Sequence, residues 1–445
     1  MASSNTSTES CADSKMTLAD ASPTSDQMGK HESNTALTSD SKTSLHPPDG
    51  FPSPPDGGLR AWTQVLVGHL VSFNSWGYLN SFGLFQAYYA TTLSATPSAI
   101  SWIGSVQILL NFLVGCVSGR ALDAGHLRAT LALGMLLQLV GIFTSSVATQ
   151  YWHLLLAQGI CKGLGDGLMF CPAVAVVPTY FTTKRAAAMA IAAAGTATGG
   201  LVFPIIAQQL QPRIGFAWTV RVMGFVVVFN SVLILLLARA RLPPRKAGPL
   251  LEWRAFKERG YTLFCVGMFL VWWALYFAFF YVSAFAKTHL GVDTSTSLTL
   301  LLVSNAVGAP GRIVAGLVAD RYFGPLNVMI PGVFCAAVLM FAWAGVHSLA
   351  AFYVFCVLYG FFAAVVQTLF TSACASLTPN MNANGSRTGM CFAVVSFAAL
   401  TGAPIGGALI QLNHGSYLYA QIFGGTSLMA GAAALLAAKF SYKRA

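Results

Sequence analysis

The stretch "GRALDAGHLR" at residues 119–128 returns in altered form as "GLVADRYFG" at residues 316–324. Each follows an apolar run and brings a glycine, an aspartate (Asp123, Asp320) and nearby arginines (Arg120 and Arg128; Arg321) to one turn. Their leading glycines lie 197 residues apart, half of the apolar part of the chain. A repeat on that scale predicts two related halves of equal helix number.

Outward from these turns, apolar segments recur from Ala61 onward, each about 20 residues long as a bilayer-crossing helix requires. Twelve are counted, at 62–88, 98–119, 128–148, 153–178, 186–209, 217–238, 261–286, 297–319, 326–346, 349–374, 386–411 and 416–438. Of 445 residues 55% are hydrophobic and 9% charged, with a mean hydropathy of +0.64. A soluble domain carries about 25% charged residues. The expected fold is therefore an all-α membrane protein with twelve transmembrane helices in two six-helix bundles, 59–238 and 261–445. The basic stretch 239–260 joins them, and a short basic tail ends the second.

Charge placement sets the expected orientation. Residues 1–58 hold eight acids against three lysines, whereas the rest of the chain holds six acids and 22 of the 25 basic residues. Seventeen of those basic residues fall on one side, leaving Arg213, Lys287 and Arg221 for the other. By the positive-inside rule both termini are cytoplasmic. Residues 1–46 are rich in Ser, Thr, Asp and Asn and read as a disordered acidic tail. "PPDGFPSPPDGG" (47–58) reads as a stiff Pro/Gly linker into the membrane.

Several functions are excluded at this level. The net charge of +11 resides in short loops, so no nucleic-acid partner is expected. The nine cysteines show no CxxC pair or Cys/His cluster, which indicates neither a metal site nor a disulfide framework. "GLGDG" (163–167) opens no helix after a strand, so its glycines argue for packing and not for phosphate binding. With no catalytic arrangement and no cofactor motif, the chain is expected not to be an enzyme.

Twelve helices with these two turns resemble the major facilitator superfamily. "DGGLRAW" (56–62) and "YFTTKRAAAMAIAAAGTATGG" (180–200) resemble signatures of its monocarboxylate porter branch, in the form common in fungi. The resemblance covers residues 56–440. It implies that Arg312, in "GAPGRIVAGLVAD" (308–320), binds a substrate carboxylate. The branch's aspartate one turn before that arginine falls at Gly308 here. Its first-helix lysine falls near Asn80 in "GYLNSFG" (77–83). These departures turn the expectation away from lactate-type proton symport.

"GICKGLGDGLMFCP" (159–172) supplies charges of its own. Lys162 and Asp166, four residues apart, share one helix face near mid-membrane, beside a stripe of Gly159, Gly163 and Gly167. Intramembrane charges are functional by default. One reading has Lys162 bind an anionic substrate while Asp166 carries a proton; the other makes them a salt bridge strapping the helix. His69 is a second proton-relay candidate, since histidine is the side chain that ordinarily changes charge near physiological pH. Asn80, Asn305 and Tyr276 complete the expected substrate contacts. Tyr276 stands out in "FLVWWALYFAFFYVSAF" (269–285) for its depth and its hydroxyl. Asp123, Arg128, Lys184, Arg185, Asp320 and Arg321 are expected to form a cytoplasmic latch.

The expected function is secondary active transport of a small organic anion or carboxylate-bearing metabolite by alternating access. By resemblance, export of a fungal secondary metabolite leads. Proton-coupled uptake of a monocarboxylate or vitamin, and a transporter-like sensor, are the alternatives. The expected setting is the cell membrane, with the vacuolar membrane as the other choice. The expected partners are the substrate, protons and lipid, in a monomer.

Overall fold

The computed structural model describes residues 55–181, 184–241, 243, 252–378 and 384–443. The expected tail and much of the basic linker lie outside the described residues. Among the described residues the regular structure is helical throughout, with no strand. The helices are α1 (59–92), α2 (Pro97–Asp123), α3 (Leu127–Ser145), α4 (Tyr151–Thr179), α5 (185–214), α6 (216–237), α7 (Arg259–His289), α8 (Thr294–Phe323), α9 (Pro325–Gly345), α10 (Leu349–Ser376), α11 (Asn384–Leu412) and α12 (Leu418–Lys443).

Ten helical runs among the described residues are long and apolar enough to cross a membrane. The difference from the expected twelve has two physical sources. α5 and α6 form one continuous run, bent where Gly215 takes φ 76° and ψ 169°. A left-handed residue breaks the helix there, and glycine occupies it at little cost. α1 is cut into Leu59–Ser72, a π-helical turn Phe73–Gly77, Tyr78–Asn80 and, after a break at Ser81, Phe82–Thr92.

The helix ends follow from local chemistry. α2 begins on Pro97 with the Thr96 hydroxyl accepting from the Ala99 amide at 3.2 Å. The two repeated turns end alike. Gly125 (φ 85°) and Gly324 (φ 79°) are left-handed, and the amides of His126 and Gly324 each reach back five residues, to the carbonyls of Ala121 and Ala319. The two branch-like stretches also meet: the Asp56 amide donates to the Tyr180 carbonyl, and Trp62 packs edge-on to Phe181.

Packing repeats with the sequence. α2 packs on α4 as α8 packs on α10, and α3 on α4 as α9 on α10. Between the halves, α2 lies against α11 and α8 against α5. Adding six to each helix number turns the first contact into the second, so the two halves share one internal arrangement and meet through equivalent surfaces.

Candidate functional site

At the centre of the inter-half contact is a cluster of aromatic side chains from five helices. Trp76 (α1) lies 5.1 Å from Phe112 (α2), 6.1 Å from Trp272 and 6.2 Å from Tyr276 (both α7), centroid to centroid. Trp272 and Tyr276 stack at 5.5 Å. Phe370 (α10) and Phe392 (α11) close the ring against Trp272 and Phe112. Among the described residues, the Nε1 atoms of Trp76 and Trp272 and the Tyr276 hydroxyl are buried without a hydrogen-bond partner. Buried donors left unmet are costly.

Arg312 lies in the same half as Tyr276 and is 4% exposed. Among the described residues its one hydrogen bond is from Nη2 to the Gln367 side-chain oxygen, at 2.9 Å, and it forms no ion pair. A guanidinium has five N–H donors, so most of its capacity is unmet. The helix explains the family departure at residue 308. A Cβ placed on Gly308 would stand 2.7 Å from Arg312 Nη1, so the guanidinium folds back over the glycine along α8. Asn305, seven residues before Arg312 on that face, donates to the Asn80 carbonyl at 3.4 Å and to the Leu301 carbonyl at 3.1 Å. The Oδ1 atoms of Asn80 and Asn305 have no hydrogen-bond partner among the described residues.

Lys162 and Asp166 lie elsewhere. Gly159, Gly163 and Gly167 seat α4 on α2, while Gly165 meets α3 at Gly134 and Gln138. With both flanks packed, the charged face turns into the first half instead of toward the second. Lys162 Nζ is 2.9 Å from each Asp166 oxygen, 3.3 Å from the Asn74 carbonyl and 4.5 Å above the Tyr78 ring. Asp166 also accepts from Gln107 Nε2 (2.7 Å) and Gln138 Nε2 (2.5 Å). The pair therefore ties four helices, where the sequence considered a strap within one.

The remaining candidates are placed as follows. His69 is bonded through both ring nitrogens, Nδ1 to the Ile191 carbonyl at 2.8 Å and Nε2 with the Thr198 hydroxyl at 3.0 Å, fastening α1 to α5. Arg128 donates to the Ala238 carbonyl within its own half. Lys184, Arg185, Asp320 and Arg321 are exposed, Arg321 lying over the Tyr322 ring, and Asp123 is half-buried.

Three features escaped the sequence. Trp76, Phe112, Phe370 and Phe392 resemble ordinary core residues, and only their convergence reveals the aromatic ring. At the other end of the halves' contact, Tyr281 bonds Ser101 (2.5 Å) and the Pro97 carbonyl (3.1 Å), and Gln208 bonds Ser295 (2.7 Å). Finally, Arg387 at the start of α11 is clamped by Glu252 and Glu258 of the linker at 2.6–3.1 Å.

Comparison with known proteins bears on the family and the fold. The family profile described as Major Facilitator Superfamily matches residues 65–393. An MFS-type transporter of Gibberella zeae is 44% identical over 409 residues, covering 92% of each chain. The aspyridones efflux protein apdF of Emericella nidulans is 36% identical over 400 residues, 89% of this chain and 81% of that one. Among solved structures, a bacterial homologue of the human lysosomal transporter Spinster, inward-facing and unoccupied, aligns with a TM-score of 0.60 at 16% identity. It covers 87% of this chain and 97% of that one, and it bears on the fold alone. This chain is a multi-pass membrane transporter, not an enzyme, and belongs to the Major Facilitator Superfamily.

Proposed function

We propose that the protein exports an aromatic, carboxylate-bearing fungal metabolite, with all twelve helices crossing the membrane, both termini cytoplasmic, and the two halves rocking about the aromatic ring. The observation that carries this reading is Arg312, a buried guanidinium without an ion pair among the described residues, within electrostatic reach of Tyr276, whose ring stacks on Trp272 at 5.5 Å and lies 6.2 Å from Trp76. The cation takes the carboxylate and the rings take the conjugated body. Asn80 and Asn305 contact the ligand's polar edge, while the turns at Asp123 and Asp320 with Arg128, Lys184, Arg185 and Arg321 serve the conformational cycle. A relative named as an efflux protein supports the direction of transport.

Proteoliposomes test the reading with 1-naphthoate as an aromatic carboxylate probe. Wild type is expected to carry it, and Arg312→Gln to lose ten- to hundredfold in apparent affinity, about the value of a charge-assisted hydrogen bond. Undiminished affinity in Arg312→Gln overturns the assignment. Flux with and without a pH gradient decides whether protons move with the substrate.

A further inference from the structure

Lys162 and Asp166 are buried charges that the site between the halves does not use. Two of the four helices they tie, α4 and α1, widen into π-helical turns beside them. The π-helical turn of α4, Leu155–Cys161, ends on the residue before Lys162, whose own amide bonds the Ala157 carbonyl five residues back. The π-helical turn of α1, Phe73–Gly77, contains Asn74, the residue whose carbonyl receives Lys162. Such turns are frequent at functional sites.

The geometry has a direction. Gln107 and Gln138 hold the Asp166 carboxylate, which orients the Lys162 ammonium, which in turn reaches the Asn74 carbonyl. From the other side, Asn230 of α6 donates to the Asn74 side-chain oxygen at 2.9 Å. Asn74 is thus held by its main chain from α4 and by its side chain from α6. Two residues further on, the same turn carries Trp76 into the aromatic ring against Trp272 and Tyr276.

We propose that Lys162 and Asp166 are positioning residues that hold the π-helical turn Phe73–Gly77, and through it Trp76, in the substrate site without touching the substrate. The substrate part rests on the function proposed above; the holding of the turn does not. An ammonium serves because it donates to a carboxylate and a main-chain carbonyl at once. Apolar residues replace a buried ion pair without loss of fold in many proteins but offer the carbonyl nothing.

Hydrogen exchange of the purified full-length protein in nanodiscs tests this. In Lys162→Met with Asp166→Leu, amides of residues 73–77 are expected to exchange about tenfold faster, as for a local opening, with α9 and α12 unchanged. Asp166→Asn, nearly isosteric, gives the same change in milder form, and Lys162→Arg restores protection. Unchanged protection of residues 73–77 in the folded variants, or an equal rise throughout the protein, overturns the proposal. In proteoliposomes the double variant is expected to raise KM for 1-naphthoate with Vmax kept, and an unchanged KM removes the link to Trp76. Arg312→Gln serves as the control, losing affinity while residues 73–77 stay protected. If wild type carries no 1-naphthoate, the reading of the substrate site fails, and exchange alone decides the holding of the turn.

Discussion

Arg312 and Gly308 show how one position conditions another. Four residues apart on α8, they share a face, and the glycine leaves the space into which the guanidinium folds. Gly308→Asp is expected to supply a carboxylate to Arg312, detach it from Gln367 and cut 1-naphthoate affinity ten- to hundredfold, as a new charge-assisted bond competes with the ligand. Uptake at varied 1-naphthoate concentration measures this, with Gly308→Ser as the smaller change. The burial of Arg312 was legible in the sequence because residues 297–319 are apolar and carry no other basic residue. Its partner Gln367 was not, since one amide among several in the spans carries no sign of its neighbour. His69 was legible as titratable, but its bonds to Ile191 and Thr198, 122 and 129 residues away, were not.

At the scale of elements, glycine decides how closely helices approach. A Cβ on Gly165 would lie 2.5 Å from the Gly134 carbonyl oxygen and 2.7 Å from the Gln138 amide, whereas one on Gly316 would meet nothing within 4 Å. Gly165→Val is therefore expected to cost 1–3 kcal/mol, about the usual effect of overpacking, and Gly316→Ala far less. Thermal melting in detergent checks both. The linker clamp is the other element-scale device. Hydrogen bonds from Arg387 hold the Glu252 carboxyl below its usual range. A carboxyl depressed in the folded state contributes stability above its unfolded pKa, about 4.3, and loses it as pH falls through the folded value. The clamp is expected to hold at neutral pH and to loosen in acid below that range. Hydrogen exchange of residues 252–258 from pH 7 to pH 3, corrected for the intrinsic rate, follows the loosening, and Glu252→Gln should weaken its pH dependence.

At the scale of the whole molecule, the halves meet through two equivalent helix pairs and through α1 against α7, and the end carrying Ser98, Ser101, Tyr281, Gln208 and Ser295 is joined by hydrogen bonds. Joining Gln208→Cys to Ser295→Cys by a disulfide in a cysteine-free background is expected to abolish 1-naphthoate flux, with recovery on reduction. Persistent flux in the cross-linked protein would show that this end need not open. The sequence by itself determined the helical class, the repeat of two halves and nearly every helix position, because hydropathy runs, caps and turn glycines are local properties. The tertiary structure alone decided which way each helix face points. Rotation of α4 about its axis depends on Gly163 meeting α2 and Gly165 meeting α3, and that rotation carries Lys162 and Asp166 into the first half. For the same reason only folding could assemble an aromatic ring from residues as distant as Trp76 and Phe392.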